Sequence, residues 1–354
     1  MQTSSSILEK KQYQQEIKDQ ISLPLPWEKL ENKSILLSGA TGMIGSWLID
    51  LLMAKNQLDG LNCKVYAISR REDRARVRFA PFWDRPDFQY FSQDINQALD
   101  LPAFQADYVI HGASNTHPVA YATDPIGTIL TNITGTAHLL DFAKSANCRR
   151  FLFLSSVEIY GENKSDSLRF KEEDCGYIDC NTMRAGYPES KRAGEALCQA
   201  YIAQESMDAV ILRLSRVYGP TMLSSDSKAL AQFLKKGAAK EDIVLKSAGT
   251  QYYSYVYAGD AASAILWALL LGECGQAYNV ADPASDITLK DLAALIAQHA
   301  GTKVVFQIPD EVESAGYSRA TRALLDGGKL KALGWQPRET IQNGIARTLS
   351  LLEG

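Results

Sequence analysis

Apolar residues along this chain gather into short runs separated by longer amphipathic stretches. Ile35-Leu36-Leu37, the segment Lys64-Val65-Tyr66-Ala67-Ile68, Phe88-Gln89-Tyr90-Phe91, Tyr108-Val109-Ile110 and Phe151-Leu152-Phe153-Leu154 have the length of strands. Between them, residues 47–53, 127–145 and 187–203 repeat apolar side chains at helical spacing. In the second of these, Ile129, Ile133, Ala137, Leu140 and Phe142 make an inner face. Strand and helix in repeated alternation predict an α/β protein on a doubly wound parallel sheet.

Beyond Pro220 the pattern changes. Ser224-Ser225-Asp226-Ser227 reads as a polar loop, 230–234 as a short apolar helix, 243–245 as a strand before a turn at Gly249, and 260–271 as a strongly apolar helix. Residues 278–280 follow as a strand, and a helix begins near Ile287 with Thr288 in cap position. The expected organisation is a leader over 1–32, a main domain over 33–220 to which 255–284 returns, and a smaller mixed α/β lobe made of 221–254 and 285–354. In the leader, Ile7, Leu8, Tyr13 and Ile17 have loosely helical spacing and Leu23-Pro24-Leu25-Pro26 stops any helix, so the segment should lie against the main domain.

Composition narrows the functional classes. A 354-residue chain that is 46% apolar with a net charge of −4 can bury a full core, and it has no basic excess for nucleic acid. No run approaches the ~20 apolar residues of a membrane span, and residues 1–32 lack the apolar core of a signal peptide, so a cytoplasmic protein is expected. The six cysteines form no Cys-x-x-Cys pair and the four histidines do not join them at ligand spacing, which predicts free thiols and no metal.

Candidate chemistry begins at Ser38-Gly39-Ala40-Thr41-Gly42-Met43-Ile44-Gly45, between the first strand and the first helix of the sheet. Gly39 can take the left-handed conformation of a tight turn, Gly42 lets backbone approach a pyrophosphate, and Gly45 lets helix and strand pack closely, which points to a dinucleotide site. The second strand ends in Ser69-Arg70-Arg71, where an NAD site would carry an acid for the adenosine ribose. A hydroxyl and two guanidinium groups suit a 2′-phosphate, so NADP is favoured over NAD, unless these arginines merely open a charged loop. Two further strands end at Asp94-Ile95 and at His111-Gly112-Ala113-Ser114 on the cofactor side, His111 being read as structural among small groups that make room for a ligand.

Tyr187 and Lys191 lie one turn apart on a helix, and Ser155-Ser156 end the preceding strand. A phenol titrating near ~10 is a poor base at neutral pH, and an ammonium one turn away together with a positive nicotinamide would stabilise the phenolate. Tyr187 could then take a hydroxyl proton while the cofactor takes hydride from the same carbon. Glu158 stands two residues after Ser156; strand alternation would point both side chains to the hydride-transfer site, where a carboxylate could move a proton beside a transient ketone or could anchor a loop.

These motifs resemble the extended short-chain dehydrogenases/reductases, in particular the nucleotide-sugar epimerase/dehydratase group, from about residue 33 to near the C-terminus. The likeness includes Thr41-Gly42-x-x-Gly45, His111-x-Ala113, Asn132 with Gly135-Thr136, Ser155-Ser156-x-x-Ile159-Tyr160-Gly161, the Tyr187/Lys191 pair, Val217-Tyr218-Gly219-Pro220 and Leu333-Gly334-Trp335-x-Pro337. It implies a Rossmann-type fold with a C-terminal lobe covering a sugar nucleotide. It implies that Tyr187 is the acid/base, that Lys191 tunes it and holds the nicotinamide ribose, and that Ser156 bonds the substrate hydroxyl. Gly39, Gly42 and Gly45 would hold the pyrophosphate and Asp94 and Ile95 border the adenine, with Thr41, Met43, Ile44, Ser69, Arg70, Arg71, Ala113, Ser114 and Asn132 completing the NAD(P) site. In the resembling family the helices matching 127–145 and 187–203 form a four-helix dimer interface, so a homodimer is expected.

Departures from the family pattern bear on the reaction. Val157 replaces the aspartate of the 4,6-dehydratases, which argues against water elimination. Arg184-Ala185-Gly186-Tyr187 resembles the motif of the glucuronate decarboxylases and favours a sugar acid, yet Tyr253 stands where most relatives carry an arginine, and Arg216 where they commonly carry asparagine. One cation is lost and one gained, either as a displaced substrate contact or as an ion-pair partner on a strand end. Tyr160, Tyr218, Tyr252, Tyr253, Tyr255 and Tyr317 are candidate lining groups. The leading reading is an NAD(P)-dependent enzyme acting on a nucleotide-linked sugar by hydride transfer; a net NADPH-dependent reductase of a keto sugar, a sugar-acid decarboxylase and a non-catalytic dinucleotide sensor are the alternatives.

Overall fold

Ile35, Leu36 and Leu37 are buried on both sides because the strand that carries them, Ser34–Ser38 (β1), lies at the centre of a sheet. In the computed structural model, which describes residues 4–102, 104–116, 118–163, 168–307 and 321–353, seven strands make that sheet. They are β1, Lys64–Ser69 (β2), Phe88–Ser92 (β3), Tyr108–His111 (β4), Arg150–Ser156 (β5), Ala209–Leu214 (β6) and a late strand, Ala277–Val280, ordered β3-β2-β1-β4-β5-β6 and then the late strand, all parallel. The order reverses between β1 and β4, and this opens a crevice at the carboxyl ends of the strands where ligands of such sheets bind. Helices Met43–Asp59, Pro125–Ser145 and Gly186–Glu205 cover the faces, the last two packed side by side.

The leader does fold, as the helix Lys11–Ile21, and it is fastened by polar contacts that its own sequence could not announce. Tyr13 donates to Asp50 (2.6 Å), which is also paired with the buried Arg78; Trp47 donates to Gln20 (2.8 Å); and Tyr257 donates to Glu16 (2.6 Å). Each buried polar group thus finds a partner more than twenty residues away, as a low-dielectric interior requires.

Beyond β6 the chain crosses between the sheet and a second layer. Arg216–Tyr218 (β7) pairs in parallel with Tyr252–Tyr257, which also pairs with Asp286–Thr288 and Arg322–Ala323. The helix Ala258–Leu271 then returns to pack on the main sheet before the late strand joins its edge. Thr288 caps the helix Leu289–Ala300 by accepting from the Asp291 N–H, as its position predicts. The short strands of this second layer were not predicted from the sequence, because runs of two to six residues leave little periodicity to read. Among the described residues no helix is long and apolar enough to cross a membrane, and no group of three or more His, Cys, Asp or Glu is placed to hold a metal. The six cysteines are free thiols. Tyr317 lies outside the described residues.

Candidate active site

The glycine turn forms one wall of a cleft of about 1130 Å³ that continues past the ends of β2, β4 and β5 to the second layer. Single small-molecule sites occupy roughly 300–1,000 Å³, so the space suits two ligands side by side. Gly39 has φ +74°, and a Cβ there would come within 2.7 Å of the Ala113 backbone nitrogen; a Cβ on Gly45 would come within 2.5 Å of the Gly39 carbonyl. Both positions are therefore closed to any other residue. Gly42 caps the helix that begins at Met43 without a side-chain cap, so N–H groups at that helix start face the cleft free to meet a phosphate. These features fit a dinucleotide on the structure's own terms.

Around that turn, Ser69, Arg70, Arg71, Asp94, Ile95, Ala113 and Ser114 line the same cleft. Thr41 donates to the Ser69 hydroxyl (3.2 Å), and the Arg71 fork grips Asp73 at 2.9 and 2.6 Å in an exposed pair. Asp94 accepts from the Asn96 N–H (3.0 Å). Asn132 differs from expectation: it is fully buried behind the wall, accepting from the Ser114 hydroxyl (2.8 Å) and donating to Ser190 (2.9 Å), so it fixes neighbours and does not itself face the cleft. His111 is structural, with Nδ1 2.8 Å from the Ser38 hydroxyl and Nε2 3.0 Å from Thr136, and burial followed by the Lys191 charge holds it well below the usual histidine range.

The catalytic candidates converge where β5 meets the helix Gly186–Glu205. Tyr187 is buried, hydrogen-bonded to Ser156 and Tyr121, and its phenol is pushed up to about 12 by burial, with Ser156 opposing the shift and Glu158 adding to it. Lys191 lies one turn on along the same helix, as the spacing predicts. Its ammonium donates to the Leu154 carbonyl (2.9 Å) and lies over the Phe153 ring, and burial lowers it to about 7 against the pull of Glu195 one turn on. Burial thus shifts both the phenol and the ammonium toward their neutral forms.

Glu158 also departs from the strand reading. Residues Val157–Tyr160 form a 3₁₀ turn begun by Ser156, whose hydroxyl accepts from the Glu158 N–H (3.2 Å), so strand alternation does not aim the carboxylate. Ion pairing does: Arg184 donates to Oε2 at 2.6 Å and the Arg216 guanidinium stands 4.0 Å from Oε1. Arg184 lies over the Tyr121 ring at 4.7 Å, and Arg216 over Tyr253 at 3.6 Å. The two residues that depart from the expected pattern are thus in contact with each other, and Arg216 also faces Glu158 as an ion-pair partner. Tyr121, whose ring centre is 4.9 Å from that of Tyr187, was missed because nothing in its local sequence sets it apart. Tyr218 and Tyr255 also line the cleft, whereas Tyr160 is core: it stacks on Phe170 and donates to Asn279 (2.7 Å).

A parallel sheet with an uncapped glycine turn and a serine hydrogen-bonded to a buried tyrosine at one crevice defines a dinucleotide-dependent enzyme of hydroxyl or carbonyl chemistry. The sequence model of the NAD dependent epimerase/dehydratase family matches residues 35–281, and the chain belongs to that family. It is 27% identical over 321 residues to UDP-glucuronic acid decarboxylase 1 of Xenopus tropicalis, covering 90% of this chain and 72% of that one. To UDP-glucuronic acid decarboxylase 5 of Arabidopsis thaliana it is again 27% identical, over 89% of this chain and 87% of the relative. Among solved structures, a dTDP-glucose 4,6-dehydratase of Streptomyces venezuelae with NAD bound superposes with a TM-score of 0.75 at 23% identity, over 90% of this chain and 96% of that one. A UDP-glucuronic acid 4-epimerase of Bacillus cereus has a TM-score of 0.75 at 20% identity, over 90% and 98%. These structures share the fold.

Lys191 generates a pH prediction. Its folded-state value of about 7 lies below the ordinary 10.5, so across that window the unfolded chain binds more protons and stability of the unliganded protein rises with pH. The contribution is present above 10.5 and is lost as pH falls through 7. Urea unfolding between pH 6 and roughly 10 should reveal a rise in stability that Lys191→Met flattens; an unchanged slope in the variant would assign the pH dependence to other groups.

Proposed function

We propose that this enzyme oxidises a hydroxyl-bearing carbon of a nucleotide-linked sugar acid, with Tyr187 as the base that takes the hydroxyl proton. The observation that carries the reading is the hydrogen-bonded Ser156–Tyr187 pair beside Glu158, Arg184 and Arg216, in one cleft with the glycine turn. Ser156 positions the sugar hydroxyl, and Lys191 is the cation offered to a ribose hydroxyl and to the developing phenolate. A nicotinamide dinucleotide, when bound, supplies the hydride acceptor and a positive charge beside the phenol. Oxidation two carbons from a carboxylate makes a β-keto acid, which loses carbon dioxide readily and leaves an enolate. Glu158, a carboxylate beside Arg184 in the same cleft, takes a proton from solvent and passes it to the carbon next to the ketone. The acid is supported by the two arginines and by relatives named for UDP-glucuronic acid.

In a panel of UDP- and dTDP-linked hexoses and hexuronic acids, cofactor absorbance and product mass should single out an acid. Glu158→Gln should leave hydride transfer within about tenfold of wild type, or ~1.4 kcal/mol of barrier, while stopping uptake of solvent deuterium at a sugar carbon. Absence of deuterium in the wild-type product would reject the proton-transfer role of Glu158.

For the cofactor, we propose NADP over NAD. Arg70 and Arg71 line the cleft edge where an NAD site carries an acid, and the exposed Arg71–Asp73 pair is weak enough to be replaced by a 2′-phosphate. A preference for NADPH also favours the net reductase as a second reading. Arg70→Ala or Arg71→Ala should weaken NADP binding by roughly 1.5–3 kcal/mol and leave NAD nearly unchanged; equal losses for both dinucleotides would make the arginines scaffold.

We propose, finally, a homodimer through the helices Pro125–Ser145 and Gly186–Glu205. Ile126 and Leu130 are 71% and 45% exposed on the first, an apolar face that a second copy would cover. Sedimentation equilibrium at micromolar concentration should give twice the chain mass, and a monomer there would remove the proposal.

A further inference from the structure

Glu158, Arg184 and Arg216 have an arrangement that a fixed structural ion pair would not need. Both guanidinium groups are parked on aromatic rings, Arg184 over Tyr121 and Arg216 over Tyr253, so each is held by a contact that does not involve the carboxylate. The carboxylate serves the two unequally, at 2.6 Å to Arg184 and 4.0 Å to Arg216. The Arg184 Nε is buried with no hydrogen-bond partner, so Glu158 leaves part of that fork unsatisfied. All three side chains are about one-fifth exposed, and all three line the cleft beside Tyr187. Glu158 itself sits on a single 3₁₀ turn at the cleft wall.

We propose that Glu158 is an internal stand-in for the substrate's anionic group: the incoming carboxylate displaces it from Arg184 and Arg216, and only then is the Glu158 carboxylate free to act on the sugar. Two cations facing one acid leave a surplus positive charge at the cleft wall, and an added carboxylate brings the cluster to balance. The rings keep both guanidinium planes in place during the exchange, so the anion meets a preformed fork and pays little ordering entropy. A neutral sugar has nothing to exchange, leaves Glu158 paired, and binds without releasing it. The site thereby rejects neutral sugars at the proton-transfer step, even where their nucleotide portion binds equally well. The same oxygen chemistry could come from the substrate's diphosphate, and the two sources differ in what the sugar contributes.

The proposal rests on the sugar-acid reading above and is tested by calorimetric binding of UDP-glucuronic acid, UDP-glucose and UDP, and their dTDP counterparts, to the full-length cofactor-loaded protein. Glu158→Gln removes the competing charge and should tighten the uronic acid conjugate about tenfold, while Arg216→Gln should weaken it by a similar factor. The neutral conjugate and the bare diphosphate should move less than twofold in either variant. Opposite signs from two substitutions at one cluster cannot come from loss of folding. If Glu158→Gln weakens the uronic acid conjugate or leaves it unchanged, the exchange is wrong, although oxidation of a sugar acid would stand. Equal shifts for UDP and UDP-glucuronic acid would assign the displacement to the diphosphate and overturn the sugar-carboxylate claim. If no nucleotide sugar binds the wild type, the functional reading falls, and the exchange with it.

Discussion

A line of hydrogen bonds running across the sheet and into the catalytic helix holds this site together. Ser38 at the end of β1 bonds His111 at the end of β4, His111 bonds Thr136, Thr136 donates to the Asn132 carbonyl, Asn132 donates to Ser190, and Ser190 donates to the Tyr187 carbonyl. The donors assign the direction. Thr136 spends its proton on Asn132, so His111 must donate from Nε2 and accept at Nδ1 from Ser38, which in turn accepts from the Ala113 N–H (3.3 Å). Only a neutral imidazole satisfies that pattern, and full burial keeps it neutral. The glycine turn and the tyrosine, 148 residues apart in the chain, are thus registered to one another by a line in which each partner is satisfied.

A second layer closes the cleft opposite the sheet, and its register decides which side chains meet there. Parallel pairing of β7 with Tyr252–Tyr257 puts Arg216 opposite Tyr255, and the pleat returns Tyr253 to the same side as Tyr255. Arg216 therefore reaches across to the Tyr253 ring. The sheet carries Ser156 and the second layer carries Arg216 into one cleft, so the charge beside Glu158 depends on the pairing of two strands outside the main sheet.

The parallel sheet, the glycine turn and the helix bearing Tyr187 were legible because their signals are local: apolar runs, forced glycines, a four-residue spacing. What could not be read depends on how individual polar groups are partnered, at long range or short. Asn132 belongs to a motif, but only the packing of two helices shows that its amide is spent on Ser114 and Ser190. Glu158 follows a strand, and a single hydroxyl, that of Ser156, ends the strand and turns the backbone before the carboxylate is reached. The leader's helical spacing and its place against the main domain were legible, whereas the partners of Glu16 and Gln20 lie in three different elements and were not.

Lys191 and Tyr187 carry this contrast into the chemistry. Four-residue spacing on a helix says that two side chains can meet, and nothing about whether the charge on either survives burial. Here burial raises the phenol to about 12 and lowers the ammonium to about 7, so both are pushed toward their neutral forms. Formal charge is concentrated beside them, at Glu158, Arg184 and Arg216. A phenol so raised is a base only when positive charge is brought close to it, so four-residue spacing and the charge of a bound ligand have to act together.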